Sequence, residues 1–152
     1  MNRTLWMTTV AFVLGALWLL TGVAWAQPSG PANVPQILNV RTFKGFPDGD
    51  EQRTFLTTDD ITFEATYYDP NPACVGELPV LPQLLLFNLE GQLLPSFEAG
   101  SQDSGLGYRL LFTDLFPGDL PAGNYQHMFL VRDCTGVNNF VSGFQTIRVL
   151  AP

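Results

Sequence analysis

Apolar and polar positions alternate strictly through "DITFEATYYDP" (60–70): Ile61, Phe63, Ala65 and Tyr67 fall on one side, Thr62, Glu64, Thr66 and Tyr68 on the other. A period of two is that of a strand with one buried face, and Asp69-Pro70 ends it because proline cannot donate to a ladder. Shorter runs of β-branched, aromatic and leucine residues occupy 36–43, 53–58, 83–89, 92–97, 108–116, 124–133 and 140–150. Turn formers separate them: "KGFPDGDEQ" (44–52), "NPACVGELPVLP" (71–82), Glu90-Gly91 and "PGDLPAG" (117–123), with the polar stretch "EAGSQDSGLG" (98–107) read as a loop. No segment holds a 3.6-residue apolar period for three turns. Seven or eight short strands with regular turn signals predict an all-β, antiparallel β-sandwich over residues 36–150.

Two runs break the alternation. "LLLF" (84–87) and "MFLV" (128–131) are apolar at consecutive positions, although an antiparallel sheet with one wet face should alternate. If Tyr125, Phe129 and Val131 face the core, Met128 and Leu130 face outward beside Leu85 and Phe87. Either a neighbouring segment, 78–82 or 92–97, covers these side chains, or they form a docking surface for a protein partner or for self-association.

The N-terminal pattern differs from everything after it. Arg3 precedes a charge-free apolar run from Leu5 to Val23, and "VAWA" places small residues at Ala24 and Ala26. That is the form of a secretory signal over residues 1–26, although the run also approaches the length of a retained anchor. Residues 27–35, "QPSGPANVP", follow as a Pro/Gly-rich leader. Cleavage after Ala26 removes all three tryptophans and leaves six basic against fourteen acidic residues, a formal charge of −8. Such a chain repels nucleic acid and anionic membranes, so membrane contact is expected only in transit, through the signal. The expected location is secreted or periplasmic.

Residues 36–150 carry a resemblance. "DITFEATYYDP", followed by "LPAGNYQHMFLVRDCTG" and "FQTIRV", resembles bacterial secreted Ig-like domains of the PKD/cadherin-like type. There a Gly-x-Tyr corner opens the penultimate strand, apolar residues follow at every second position, and an Asp precedes the turn into the last strand. Gly123, Tyr125, Phe129, Val131 and Asp133 match this pattern, with His127 at a position that is usually apolar. The chain departs from antibody-type domains in having no tryptophan after the signal and no cysteine in the middle of a core strand. In the lettering of that fold, B is 60–70, C is 83–89, F is 124–133 and G is 140–150.

The resemblance organises the candidate chemistry. An even cysteine count in a secreted chain favours a bridge. Cys74 lies in the B–C loop and Cys134 in the F–G loop, at one end of an Ig-like sandwich, so a Cys74–Cys134 disulfide is expected. The competing idea, a Cys–His nucleophile pair, needs His127 within reach of Cys134. These residues are seven apart, which puts them on opposite faces of an unbroken strand. One histidine and two cysteines also leave zinc a ligand short. His127 is expected in the core or at an edge, hydrogen-bonded to backbone.

Asp69 and Asp133 fall at the cysteine end and, with Asn71 or Asn138, supply oxygen ligands of the kind Ca²⁺ takes. The bland account is that each aspartate caps its turn. "PDGDE" (47–51) departs from a calcium loop, having Arg53 at the position that needs Gly, and reads as a solvated turn. No other cofactor is implied. Tyr67, Tyr68 and Tyr108 can stack on a sugar ring, but an aromatic platform is weakened by the loss of every tryptophan. The leading expectation is a non-catalytic Ig-like binding or assembly module acting through the C–F–G sheet. A ligand- or Ca-binding domain at the B–C/F–G end comes second, and a small hydrolase last.

Overall fold

The structure, a computed structural model, describes residues 34–152 apart from 46–48, 75 and 77–79. The signal segment 1–26 and all of the leader except Val34 and Pro35 lie outside the described residues. Ten strands are present among them: β1 (Gln36–Lys44), β2 (Thr54–Leu56), β3 (Ile61–Tyr68), β4 (Val80–Asn88), β5 (Phe97–Glu98), β6 (Gly100–Gly105), β7 (Tyr108–Leu115), β8 (Gly123–Arg132), β9 (Asn139–Val141) and β10 (Gln145–Leu150). The only helical piece described is a single 3₁₀ turn, Pro72–Cys74.

The strands form two sheets. Sheet I runs β1-β3-β7-β6, and sheet II runs β2-β10-β8-β4-β5, with β9 also paired to β8. With β1, β3, β7 and β6 as A, B, E and D, and β4, β8 and β9–β10 as C, F and G, this is the strand order of an immunoglobulin-type sandwich. Two features depart from expectation. The strands number ten rather than seven or eight, and β2 pairs with β10 in parallel rather than antiparallel. β2 is only three residues long; it pairs through its backbone with the last strand and buries Phe55 in the core.

The inward positions of β3 are the predicted ones: Ile61, Phe63, Ala65 and Tyr67 are buried against Leu84, Leu86, Leu111, Leu115, Phe129, Val131, Ile147 and Val149. Burying large apolar side chains of this kind contributes about 2 kcal/mol each. The entry to β8 is a tyrosine corner, in which the Tyr125 hydroxyl donates to the Pro121 carbonyl at 2.7 Å. Gly123 suits the close approach there, because a Cβ would sit 3.2 Å from that hydroxyl and the tyrosine would have to give by a few tenths of an ångström.

Two sequence expectations are corrected. Residues 98–107 are not simply a loop: β6 pairs with β7 from Gly100 to Gly105. It is an edge strand held by backbone bonds, without apolar side chains to reveal it. Residues 140–150 are not one strand either. The ladder breaks between β9 and β10, where the Ser142 hydroxyl accepts from the Phe129 N–H at 2.9 Å in place of a backbone carbonyl. The break shifts the alternation by one residue. Val141 faces outward opposite Leu130, yet Gln145 faces inward opposite the buried His127.

Candidate functional site

Three places carry the candidate residues: the disulfide end, the interior around His127, and the outer face of sheet II.

At the first, the predicted bridge is present, with Cys74 and Cys134 joined and their Cα atoms 5.5 Å apart. It ties the segment after β3 to the turn after β8. Asp69 and Asp133 flank it as turn caps. Asp69 accepts from the Tyr67 hydroxyl at 3.0 Å and from the Asn71 N–H at 2.9 Å. Asp133 accepts from the Thr135 hydroxyl at 2.7 Å and the Asn138 side-chain amide at 2.7 Å, and from the backbone of Val137 and Asn138. Those donors hold the Asp133 carboxyl at a pKa of about 2, led by the Thr135 hydroxyl. Burial, reinforced by the Asp69 carboxylate, pushes the Tyr67 hydroxyl well above its usual range.

All four residues singled out for a ligand, Asp69, Asn71, Asp133 and Asn138, line one open cleft of about 410 Å³, together with Pro35, Pro70 and Phe140. Among the described residues no three His, Cys, Asp or Glu side chains gather in a manner that would hold a metal ion. The aspartates are committed instead to the donors of their own turns. The β6–β7 hairpin closes one side of this end: Asp69 N–H bonds the Gly107 carbonyl, and a Cβ on Gly107, whose φ is +82°, would meet the Asp69 carbonyl at 2.5 Å.

His127 occupies the core, 1 % exposed, with its ring edge-on to Phe63 at 4.8 Å. Its Nδ1 has no hydrogen-bond partner, in contrast to the backbone bond expected for it. Burial, with a smaller contribution from the Arg53 cation, lowers its pKa to about 4. The Cys134 sulfur is committed to the disulfide, so no Cys–His nucleophile pair forms.

The outer face of sheet II carries the remaining candidates. Tyr125, Phe129 and Val131 point inward, and Leu85, Phe87, Met128 and Leu130 are half-buried on the opposite face. Leu85 pairs directly with Met128 across the β4–β8 ladder. The segment 92–97 does not cover them. Leu94 and Phe97 pack inward, while Leu93 pairs with Phe87 and stays 56 % exposed. Val141 joins from β9, and the break after it puts Phe144 edge-on to Phe87 at 5.6 Å. The result is a strip of seven apolar side chains across β4, β8 and β9 with no ion pair among them.

Sequence reasoning found Leu85, Phe87, Met128 and Leu130 but missed Leu93, Val141 and Phe144. The last two needed the broken strand, which "FVSGF" hints at through its central glycine. It also missed Arg109, whose inward parity with Leu111 and Leu115 was available as a signal.

Strand order and the tyrosine corner define an immunoglobulin-type sandwich. No family model matches the chain, and no curated protein matches it in sequence. Among the described residues no helix is long and apolar enough to cross a membrane.

Proposed function

We propose that this protein is a secreted or periplasmic, non-catalytic Ig-like module of the PKD/cadherin-like kind, which docks a protein partner on the outer face of sheet II. The observation that carries this reading is the apolar strip centred on Leu85, Met128 and Leu130 and extended by Val141 and Phe144. An exposed strip of this kind on a sheet face is costly in water and is the usual mark of an interaction surface. The disulfide suits an oxidising compartment and agrees with the signal-like N-terminus.

The test is affinity capture of the tagged protein from its own secretions, alongside light scattering, for the wild type and Leu130→Glu. A co-purifying protein that is lost in the variant supports the reading. A wild-type dimer that becomes monomeric in the variant would make the occupant a second copy. Capture and mass both unchanged by the substitution would overturn the proposed surface.

A further inference from the structure

The disulfide end holds a group that the fold leaves unused. Arg109 points inward from β7, in line with Leu111 and Leu115, and is only 5 % exposed. It forms no ion pair among the described residues, and its buried Nη2 has no hydrogen-bond acceptor. A buried N–H without an acceptor is costly, and an apolar side chain would avoid that cost at this position. Arg109 lines a narrow crevice with Tyr67, Asp69, Asp103 and the Cys74–Cys134 bridge. The crevice has room for about 10 Å³, enough for a single water-sized group. Asp69 lines both this crevice and the wider cleft of about 410 Å³.

We propose that this end of the sandwich binds a neutral, hydroxyl-bearing small molecule the size of one sugar ring, with one hydroxyl anchored in the crevice by Arg109. Three observations select that chemistry. Arg109 requires an acceptor, which rules in oxygen. Asp69 and Asp103 beside it and ionised Asp133 across the cleft make the surroundings negative, which disfavours an anion. Both aspartates of the cleft already accept from their own turns, so they offer residual lone pairs rather than an empty cation site. A hydroxyl accepts from the guanidinium and donates to a carboxylate at once, as neither a carboxylate nor an ammonium can. Pro35, Pro70 and Phe140 give the cleft apolar walls for the carbon face of a ring, and Asn71 adds a polar group at the rim. The volume is that of a small-molecule site. No tryptophan platform is needed, because orientation comes from hydrogen bonds.

The test is an amide-shift titration of the isotope-labelled protein with glucose, galactose, N-acetylglucosamine and inositol, with acetate and methylammonium as charged alternatives. The expected result is saturable shifts at Asn71 and Thr135–Asn138 for at least one neutral polyol and none for the ions. Arg109→Met should raise the thermal midpoint while weakening that polyol about tenfold or more, or about 1.4 kcal/mol. Asn71→Trp, a substitution at an exposed position, should block the cleft without touching the core and abolish the shifts. Saturation by acetate or methylammonium instead, no saturation by any polyol, or polyol binding unaltered in either variant would overturn the proposal. Leu130→Glu leaves this titration unchanged, so failure here and failure of the sheet II surface are read separately.

Discussion

The two outer faces of the sandwich solve the same problem in opposite ways. On sheet I several outward side chains, polar and aromatic, pair with a neighbour across the strands. Arg41 pairs with Glu64 and lies over the Phe43 ring, the Thr62 hydroxyl donates to Asp114 at 2.6 Å, and Tyr68 packs on Tyr108 at 4.6 Å. Sheet II places Leu85, Phe87, Met128 and Leu130 in the corresponding positions, and among the described residues they meet one another, Leu93, Val141 and Phe144. Both sheets bury apolar side chains on their inner faces. The difference teaches that the mixed polar pattern of one face satisfies itself across its strands, whereas the apolar pattern of the other is the ground for the proposed docking surface.

The largest test asks whether the two faces belong to one cooperative body. The disulfide links the end of β3 in sheet I to the end of β8 in sheet II across 60 residues. Replacing both cysteines with serine should cost about 4 kcal/mol by loop entropy, and hydrogen exchange in β3 and β8 should accelerate together. Separate unfolding midpoints for the two sheets would break the comparison at its base.

A slightly smaller effect comes from the residue between the faces. His127, on β8, packs on Phe63 of β3 and has a folded pKa of about 4 against an ordinary 6.5. Because the unfolded chain takes up the proton first, the stabilisation is full above pH 6.5, declines as pH falls from 6.5 to about 4, and is then constant. The loss is about 3 kcal/mol. Denaturant titrations across that range should show the slope in the wild type and lose it in His127→Leu. A flat wild-type profile would mean that the histidine is not sealed between the sheets.

Next come matched substitutions on the two faces. Leu130→Glu on sheet II should weaken the partner about thirtyfold or more, the 2 kcal/mol of an interface hot spot. Leu110→Glu, an outward position on sheet I opposite Thr66, should leave binding unchanged. Equal losses would erase the distinction between the faces. The smallest effect compares pairs of similar strength. Double-mutant cycles should give about 0.5 kcal/mol for both Arg41–Glu64 and Leu85–Met128. Only the first should fade as salt is raised, since the second is a contact without charge.

Most of this architecture could be read from the chain, and the parts that could not share a physical cause. β3 and β8 announce themselves because alternate residues are buried, and the consecutive apolar residues of "LLLF" and "MFLV" announce the outer strip for the same reason. β6 stayed hidden because backbone bonds at a sheet edge, rather than side-chain burial, hold it in place. Phe144 and Val141 stayed hidden because a one-residue slip between β9 and β10 puts both on the outside, where unbroken alternation would separate them. Arg109 was legible by parity, but a charged residue at a core position is easily read as the end of a strand. The cleft at the disulfide end was anticipated through Asp69, Asn71, Asp133 and Asn138, which do converge. Its deepest group lies on β7, a strand on which no candidate residue for that end had been placed.

The glycine- and serine-rich edge strand has a consequence for how copies of this protein meet when crowded. β6, "GSQDSG", leaves one row of peptide groups unpaired by any strand among the described residues, and its side chains are almost all exposed. A second chain adding there would gain peptide hydrogen bonds already available from water, with little apolar area to bury. Growth from that edge could repeat without limit, yet little drives it. Contact through the sheet II strip is the reverse: it buries leucine, methionine and phenylalanine, and between identical copies it closes on itself as a pair. The chain thus steers any association towards the geometry that terminates.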